Sequence, residues 1–118
     1  MTVQSISAVT VAVRDMAVAV DFYEAKVGLE MLYGGANAAF TSFRVGGGYI
    51  NLILEENHGV NWWGRLILYV DDVDAMYRKL VDAGLKPDGV PTDAPWRERY
   101  FHISDPDGHE LSFARPVS

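Results

Sequence analysis

The chain has 118 residues, a hydrophobic fraction of 49% and a formal net charge of −6, which suit one soluble domain with a substantial core. The negative charge argues against electrostatic binding to nucleic acid or to an anionic membrane surface. The absence of cysteine excludes disulfides, thiolate nucleophiles and zinc–thiolate sites. No apolar stretch approaches the roughly 20 residues that span a bilayer, and the first residues lack a signal-peptide pattern, so we expect a cytoplasmic protein.

The first half of the chain predicts one helix and four short strands. Alternating β-branched and small residues predict a strand over 6–13. Asp15 is placed to cap the helix that follows, and Gly28 to end it. Three further strands are predicted over 29–33, 40–45 and 49–54.

The second half repeats this order after a polar linker. A strand is predicted over 65–70, and Asp71 or Asp72 can cap a second helix. A short strand is expected at 85–86, before a proline-rich loop. Each half therefore has the order βαβββ, and a sheet with a helix on one face leaves its other face to be covered. The sequence predicts an α+β fold in which two tandem modules form curved mixed sheets around a cleft.

A hairpin between Tyr100 and Phe113 closes the second half. Asp105-Pro106-Asp107-Gly108 has the residue types of a type I turn. Alternation on both sides of the turn gives the hairpin one apolar face. The other face carries tyrosine, histidine and glutamate, which a plain core would not contain, so we expect it to line the cleft.

These motifs, in this order, resemble the vicinal oxygen chelate superfamily of glyoxalases, bleomycin-resistance proteins and extradiol dioxygenases. The motifs are Val13-Arg14-Asp15-Met16, Asp21-Phe22-Tyr23, Gly28-Leu29, Val70-Asp71-Asp72-Val73, Ala83-Gly84-Leu85 and Asp105-Pro-Asp-Gly-His-Glu-Leu-Ser-Phe113. The resemblance covers nearly the whole chain. It implies a single domain over 1–118, with one module over about 5–56 and the other over about 62–116, and a homodimer. It does not imply one reaction, because members of one fold differ in chemistry.

The metalloenzymes of this superfamily hold a divalent metal with one residue from each of four strands. Transferred to this chain, those positions are Ala8, Asn51, Arg65 and Ser112. None of these side chains is a good ligand for a divalent metal, and arginine is cationic at any working pH. We therefore expect no metal and no other cofactor, as in the antibiotic-binding branch of the superfamily.

The expected function is metal-free binding of a small molecule, flat or anionic, similar to bleomycin-resistance proteins. Strand parity and loop aromatics select eight candidate ligand-binding residues: Asn51, Trp63, Arg65, Tyr69, Trp96, Tyr100, His102 and Glu110. Arg65 on a cleft face needs an anion, which would be either Glu110 or a group of the ligand. The tryptophans of the loops could stack on a ligand, shield a hydrophobic edge or pack in a dimer interface.

An enzyme remains the alternative. A lyase, isomerase or dioxygenase could use His102 and Glu110 as acid–base groups, or a divalent metal at unusual positions. A site of two histidines and one carboxylate, built from His58, His102 and Glu110, would be one such arrangement. His58 and His109 are otherwise expected to be exposed, and Arg97 and Arg99 to be solvated.

Overall fold

The computed structural model describes residues 1–117 and divides them into two compact units, the first over 1–59 and the second beginning at Val60. Each unit contains one four-stranded mixed sheet and one helical segment, in the order βαβββ. This is the α+β architecture that the sequence predicts. In residues 1–117, no helix has both the length and the apolar character that crossing a membrane requires.

The first unit is a sheet in the order β1-β4-β3-β2. Its strands are β1 (Ala8–Val13), β2 (Glu30–Tyr33), β3 (Phe40–Val45) and β4 (Gly48–Leu54). The edge strand β1 is parallel to β4, and the other neighbours are antiparallel. Val11, Val13, Phe43 and Leu52 are buried on the same side as the helix.

The helix of the first unit changes type part-way along. Asp15 caps α1 (Met16–Val20) by accepting a hydrogen bond of 3.2 Å from the backbone N–H of Val18. The chain then continues as a π-helix over Asp21–Val27, where the sequence predicts an ordinary helix. The wider turn accompanies the burial of two adjacent rings, Phe22 and Tyr23, whose centroids are 4.9 Å apart.

The second unit is a sheet in the order β5-β8-β7-β6, again with a parallel pair at one edge. Its elements are β5 (Arg65–Tyr69), α2 (Val73–Asp82), β6 (Thr92–Asp93), β7 (Glu98–Ser104) and β8 (Glu110–Pro116). Asp72 caps α2 by accepting from the N–H of Ala75 at 2.9 Å. The ring of Tyr77 packs edge-on against Phe101, so α2 covers one face of the sheet.

The prediction of a strand at 85–86 is wrong. Its place is taken by β6, which lies inside the segment predicted as loop and pairs Thr92 with Tyr100. Pro87 explains the difference, because it has no backbone N–H to donate to a neighbouring strand and its ring fixes φ.

The turn between β7 and β8 confirms the predicted hairpin. Gly108 donates its N–H to the carbonyl of Asp105 at 3.0 Å, and the two strands pair from Ser104–Glu110 outward. Gly108 has a φ of +85°, a left-handed conformation that residues with a Cβ rarely adopt. The buried Asp105 carboxylate accepts from the N–H groups of Asp107 (2.8 Å) and His109 (2.9 Å), which fixes the turn from inside.

Candidate functional site

The sheet of the second unit has one face that α2 does not cover, which we call the open face. Eight side chains of β5, β7 and β8 point to it by strand alternation: Arg65, Ile67, Tyr69, Glu98, Tyr100, His102, Glu110 and Ser112. The pairing register arranges these side chains in rows that cross the strands. Arg65 and Glu110 form one row, and Ile67, Ser112 and His102 form the next. Tyr69 and Tyr100 lie in the third. Five of the eight residues predicted to bind a ligand therefore share one surface.

One end of the open face holds an ion pair. The guanidinium of Arg65 donates to the carboxylate of Glu110, and the indole N–H of Trp62 donates to the same carboxylate at 3.4 Å. The guanidinium carbon of Arg65 also lies 5.9 Å from the ring of Trp62, a cation–π distance. Of the two partners that the sequence leaves open for Arg65, the structure has the internal one.

The ion pair changes the acidity of Glu110. The hydrogen bond from Arg65 is the main reason that its pKa lies below the ordinary value. Partial burial opposes this effect, whereas the Trp62 hydrogen bond and the electrostatic interaction with His102 add to it. Glu110 is therefore an anion at neutral pH, which favours a role as an acceptor over a role as a proton donor.

The other end of the open face is aromatic. Tyr69 donates its hydroxyl to the carboxylate of Glu98, which also accepts from the indole N–H of Trp96 at 3.1 Å. This carboxylate raises the pKa of Tyr69, chiefly through the hydrogen bond. The ring of Trp96 stacks on Tyr100 with centroids 5.8 Å apart and planes 27° apart. Tyr69 and Trp96 remain 64% exposed, so their ring faces are available for contact.

His102 lies between these two ends. Its ring is 5.0 Å from that of Tyr100. Its Nδ1 is buried and has no hydrogen-bond partner among residues 1–117. A small cavity of about 180 Å³ touches His102 and Tyr100 from the side of β6, and its wall includes Asp88, Val90 and Thr92. An unpaired buried nitrogen is costly, which makes His102 a natural contact for a ligand or a water molecule.

The segment before β5 is held against β8 by Trp63. Its indole N–H donates to Nδ1 of His109 at 2.7 Å, and His109 is only 4% exposed. The expectation that His109 is exposed is wrong, because the Asp105 turn and Trp63 enclose its ring. The contact gives Trp63 a structural partner, although the residue stays half exposed. His58 is half-buried rather than exposed.

Arg99 points away from the open face. It pairs with Asp74 at the start of α2 and with Asp93 of β6, at 2.9 and 3.0 Å. Arg99 is a surface residue in two ion pairs, with 34% of its side chain exposed. These carboxylates raise the pKa of Arg99, and Arg99 in turn lowers the pKa of Asp74. A cavity of about 470 Å³ lies here, lined by the Asp74–Arg99 pair and by Arg115, which donates to the backbone carbonyl of Asp71.

The first unit has a corresponding face of its own. Ala8, Thr10 and Ile53 are exposed on it, and Asn51 is half-buried. Asn51 donates to the hydroxyl of Thr10 at 3.2 Å, while its carbonyl oxygen is buried without a partner among residues 1–117. Asn51, which the sequence predicts to contact a ligand, therefore has a side-chain oxygen free to accept a hydrogen bond.

The donor set does not fit a divalent metal. The positions that the resemblance assigns to metal ligands hold a methyl group, an amide, a guanidinium and a hydroxyl, at Ala8, Asn51, Arg65 and Ser112. Arg65 brings a positive charge to one of them, already paired with Glu110. Within residues 1–117, no three His, Asp or Glu side chains are grouped so that they could hold an ion.

A family model for the glyoxalase/bleomycin resistance protein/dioxygenase superfamily matches residues 5–113. The chain belongs to this superfamily. The family match agrees with the arrangement of β1 to β8. A search of curated proteins found no match to this chain.

Solved structures show the same fold. Lactoylglutathione lyase from Agrobacterium tumefaciens is 20% identical with a TM-score of 0.80, and the match covers 96% of this chain and 94% of that one. A superfamily member from Sphaerobacter thermophilus is 24% identical with a TM-score of 0.78, over 95% and 97%. TioX from Micromonospora sp. ML1 is 26% identical with a TM-score of 0.78, over 97% and 100%. At these identities the likeness supports the fold and leaves the chemistry to the residues of the site.

Sequence reasoning missed Glu98 and Trp62. Glu98 has the same parity as Tyr100 and His102, but the predicted strand begins two residues too late to include it. Starting β7 at Glu98 would have placed a second carboxylate on the open face. No comparable signal exists for Trp62, because its contact with Glu110 depends on how an irregular segment folds back.

Proposed function

We propose that the protein binds a small organic molecule on the open face without using a metal ion, as bleomycin-resistance-type members of the superfamily do. The observation that carries the proposal is the state of Arg65. It occupies a metal-ligand position of the family's enzymes with a cation, and its partner is the carboxylate of Glu110. A divalent ion placed there would meet a like charge and would have to compete with Arg65 for the carboxylate of Glu110.

Two further features support ligand binding on the open face. The open face exposes Trp62, Tyr69 and Trp96, whose rings offer contact area at little entropy cost. The unpaired buried Nδ1 of His102 can orient a ligand on this face by a hydrogen bond. Aromatic rings combined with polar groups that fix the orientation of the ligand are typical of a small-molecule site.

The first test is elemental analysis of protein purified free of chelator, before and after incubation with manganese, iron, nickel and zinc. We expect no stoichiometric metal in any sample, and quenching of tryptophan fluorescence by aromatic ligands. About one tightly held ion per chain would refute metal-free binding. His102→Ala and Glu110→Gln would then show whether these residues hold the ion.

An enzyme is the second candidate, and the unpaired Nδ1 of His102 is the observation that favours it. This nitrogen could take or give a proton next to a bound substrate, with the anionic Glu110 close enough to interact. Turnover of lyase, isomerase or dioxygenase substrates that His102→Gln abolishes would support this function. Binding of such compounds by the unsubstituted protein without any turnover, or turnover that His102→Gln leaves unchanged, would contradict it.

We also propose that the protein is a homodimer. Large aliphatic side chains remain exposed on the faces of the two sheets, Ile53 on the first and Ile67 on the second. Such apolar area is typical of surfaces that associate. Sedimentation equilibrium should give twice the chain mass of 13.1 kDa, and a single-chain mass at every concentration would contradict the proposal.

A further inference from the structure

The charges of the open face are balanced at one end and unbalanced at the other. Arg65 neutralises Glu110 at the first end. At the other end, Glu98 accepts from two neutral donors, the hydroxyl of Tyr69 and the indole of Trp96. The ion pairs formed within residues 1–117 do not include Glu98. Its negative charge therefore has hydrogen bonds but no countercharge.

The nearest arginines along the chain do not supply one. Arg99 has the opposite strand parity and is bound by Asp74 and Asp93. Arg97 is exposed and lies in a left-handed backbone conformation with a φ of +69°. The open face thus has two carboxylates, Glu98 and Glu110, and one cation, Arg65, which is paired with Glu110. This leaves the face with a net negative charge.

Exposed rings surround the unbalanced carboxylate. Trp96 stacks on Tyr100, and Tyr69 lies in the same row of the register as Tyr100. Aromatic faces attract cations through their quadrupole, most strongly when the ring is tryptophan. A carboxylate together with two or three such rings favours an organic cation over a neutral or anionic group of the same shape.

We propose that the surface formed by Tyr69, Trp96, Glu98 and Tyr100, the aromatic end of the open face, binds the cationic group of an organic ligand, such as a substituted ammonium. This inference rests on the proposed small-molecule binding and narrows its ligand class. It replaces the expected anionic ligand, because Arg65 is already paired and the remaining unpaired charge is negative.

Three probes that share one ring system and differ in charge test the proposal: 1-naphthylmethyl-trimethylammonium, 1-naphthalenemethanol and 1-naphthylacetate. Binding is followed by the indole N–H signal of Trp96 in proton–nitrogen NMR spectra, assigned with Trp96→Phe. We expect the cation to bind at least about tenfold more tightly than the alcohol, a difference of about 1.4 kcal/mol. The anion should bind most weakly.

Glu98→Gln removes the charge while its amide oxygen can still accept from Trp96 and its amide N–H can donate to the hydroxyl oxygen of Tyr69. It should reduce the preference for the cation to within about twofold, whereas Glu24→Gln, which removes an equal charge from the first unit, should leave it unchanged. If the Glu98→Gln variant still prefers the cation, the preference arises from the overall charge of −6 and not from Glu98, which would overturn the proposal. The comparison of the three probes on the unsubstituted protein decides the cation preference even if a variant fails to fold.

The remaining outcomes separate this inference from the proposed function. Equal binding of the alcohol and the cation at Trp96 would overturn the cation preference and leave small-molecule binding intact. A Trp96 signal that no probe moves, but that shifts with protein concentration, would assign the surface to a second copy of the chain and overturn both. Tight binding of the anion would also overturn the inference and would point to Arg65 as the anchor.

Discussion

Trp63 and His109 form a hydrogen bond of 2.7 Å that ties the irregular segment before β5 to the turn leading into β8. The rings lie 5.9 Å apart at an interplanar angle of 60°, and His109 is buried beneath. Because Nδ1 of His109 is the acceptor, its proton must be on the other ring nitrogen. The bond therefore specifies both the path of the segment and the tautomer of the histidine.

Trp63→Phe should lower the free energy of unfolding by about 1–2 kcal/mol, because a buried ring nitrogen loses its donor. Trp96→Phe is the matched control. It also removes an indole hydrogen bond, but its acceptor Glu98 keeps Tyr69 and solvent as partners. Urea unfolding of both variants measures the difference. Equal losses would contradict a structural role specific to Trp63.

Glu110 should make stability depend on pH. Arg65 holds the pKa of the folded-state carboxyl below its ordinary value of 4.5. The stabilisation is therefore complete above pH 4.5 and is lost as the pH falls through the lower folded-state pKa. We expect about 1 kcal/mol or less, because Arg65 is 41% exposed and solvent screens the pair.

The measurement is urea unfolding of wild type and Glu110→Gln at several pH values from 7 downward. The destabilisation by Glu110→Gln should be largest at neutral pH and shrink below pH 4.5, where the wild-type carboxyl gains its proton. Repeating the comparison in an Arg65→Gln background should remove most of the pH dependence. A difference that grows on acidification would have the wrong sign for this ion pair.

Gly34 is required by space as well as by backbone conformation. A Cβ at this position would lie 2.4 Å from the carbonyl oxygen of Phe40 and 2.6 Å from the Cα of Thr41. Gly35 also has a positive φ, +127°, but a Cβ there meets nothing within 4 Å. Gly35→Ala should therefore cost about 1–2 kcal/mol of stability from strain alone, whereas Gly34→Ala must in addition displace the backbone of β3.

Thermal unfolding of the two glycine variants should give a clearly lower midpoint for Gly34→Ala. The change lies in the connection between β2 and β3 of the first unit, so it should leave the Trp96 indole signal of the second unit in place. Similar midpoints for both variants would show that β3 can move without cost and would refute the steric argument.

The sequence predicts which strand residues lie on the open face, because strand alternation alone determines the side to which each one points. Period-two alternation in Tyr100 and His102, and in Arg65 and Tyr69, is enough to place these side chains opposite α2. The partner choice of Arg65 could not be determined, because a ligand anion and Glu110 satisfy the same chemistry. His109 was misplaced because its burial depends on Trp63, which lies more than forty positions earlier in an irregular segment.

Asp105 provides the last prediction, because one oxygen of its buried carboxylate accepts from both Asp107 and His109. Asp105→Ala leaves two buried N–H groups without this acceptor, at about 1–3 kcal/mol for each such group. The loss should therefore exceed about 2 kcal/mol. Asp105→Asn retains an oxygen at the same place and should cost distinctly less.

The same turn positions His109 for Trp63, so Asp105→Ala should also shift the indole signal of Trp63 in NMR spectra, and Asp105→Asn should leave it near its wild-type position. This second readout distinguishes a broken turn from general destabilisation. If the alanine variant unfolds at the same urea concentration as the asparagine variant, and the Trp63 signal stays unmoved in both, then the two hydrogen bonds do not organise the turn.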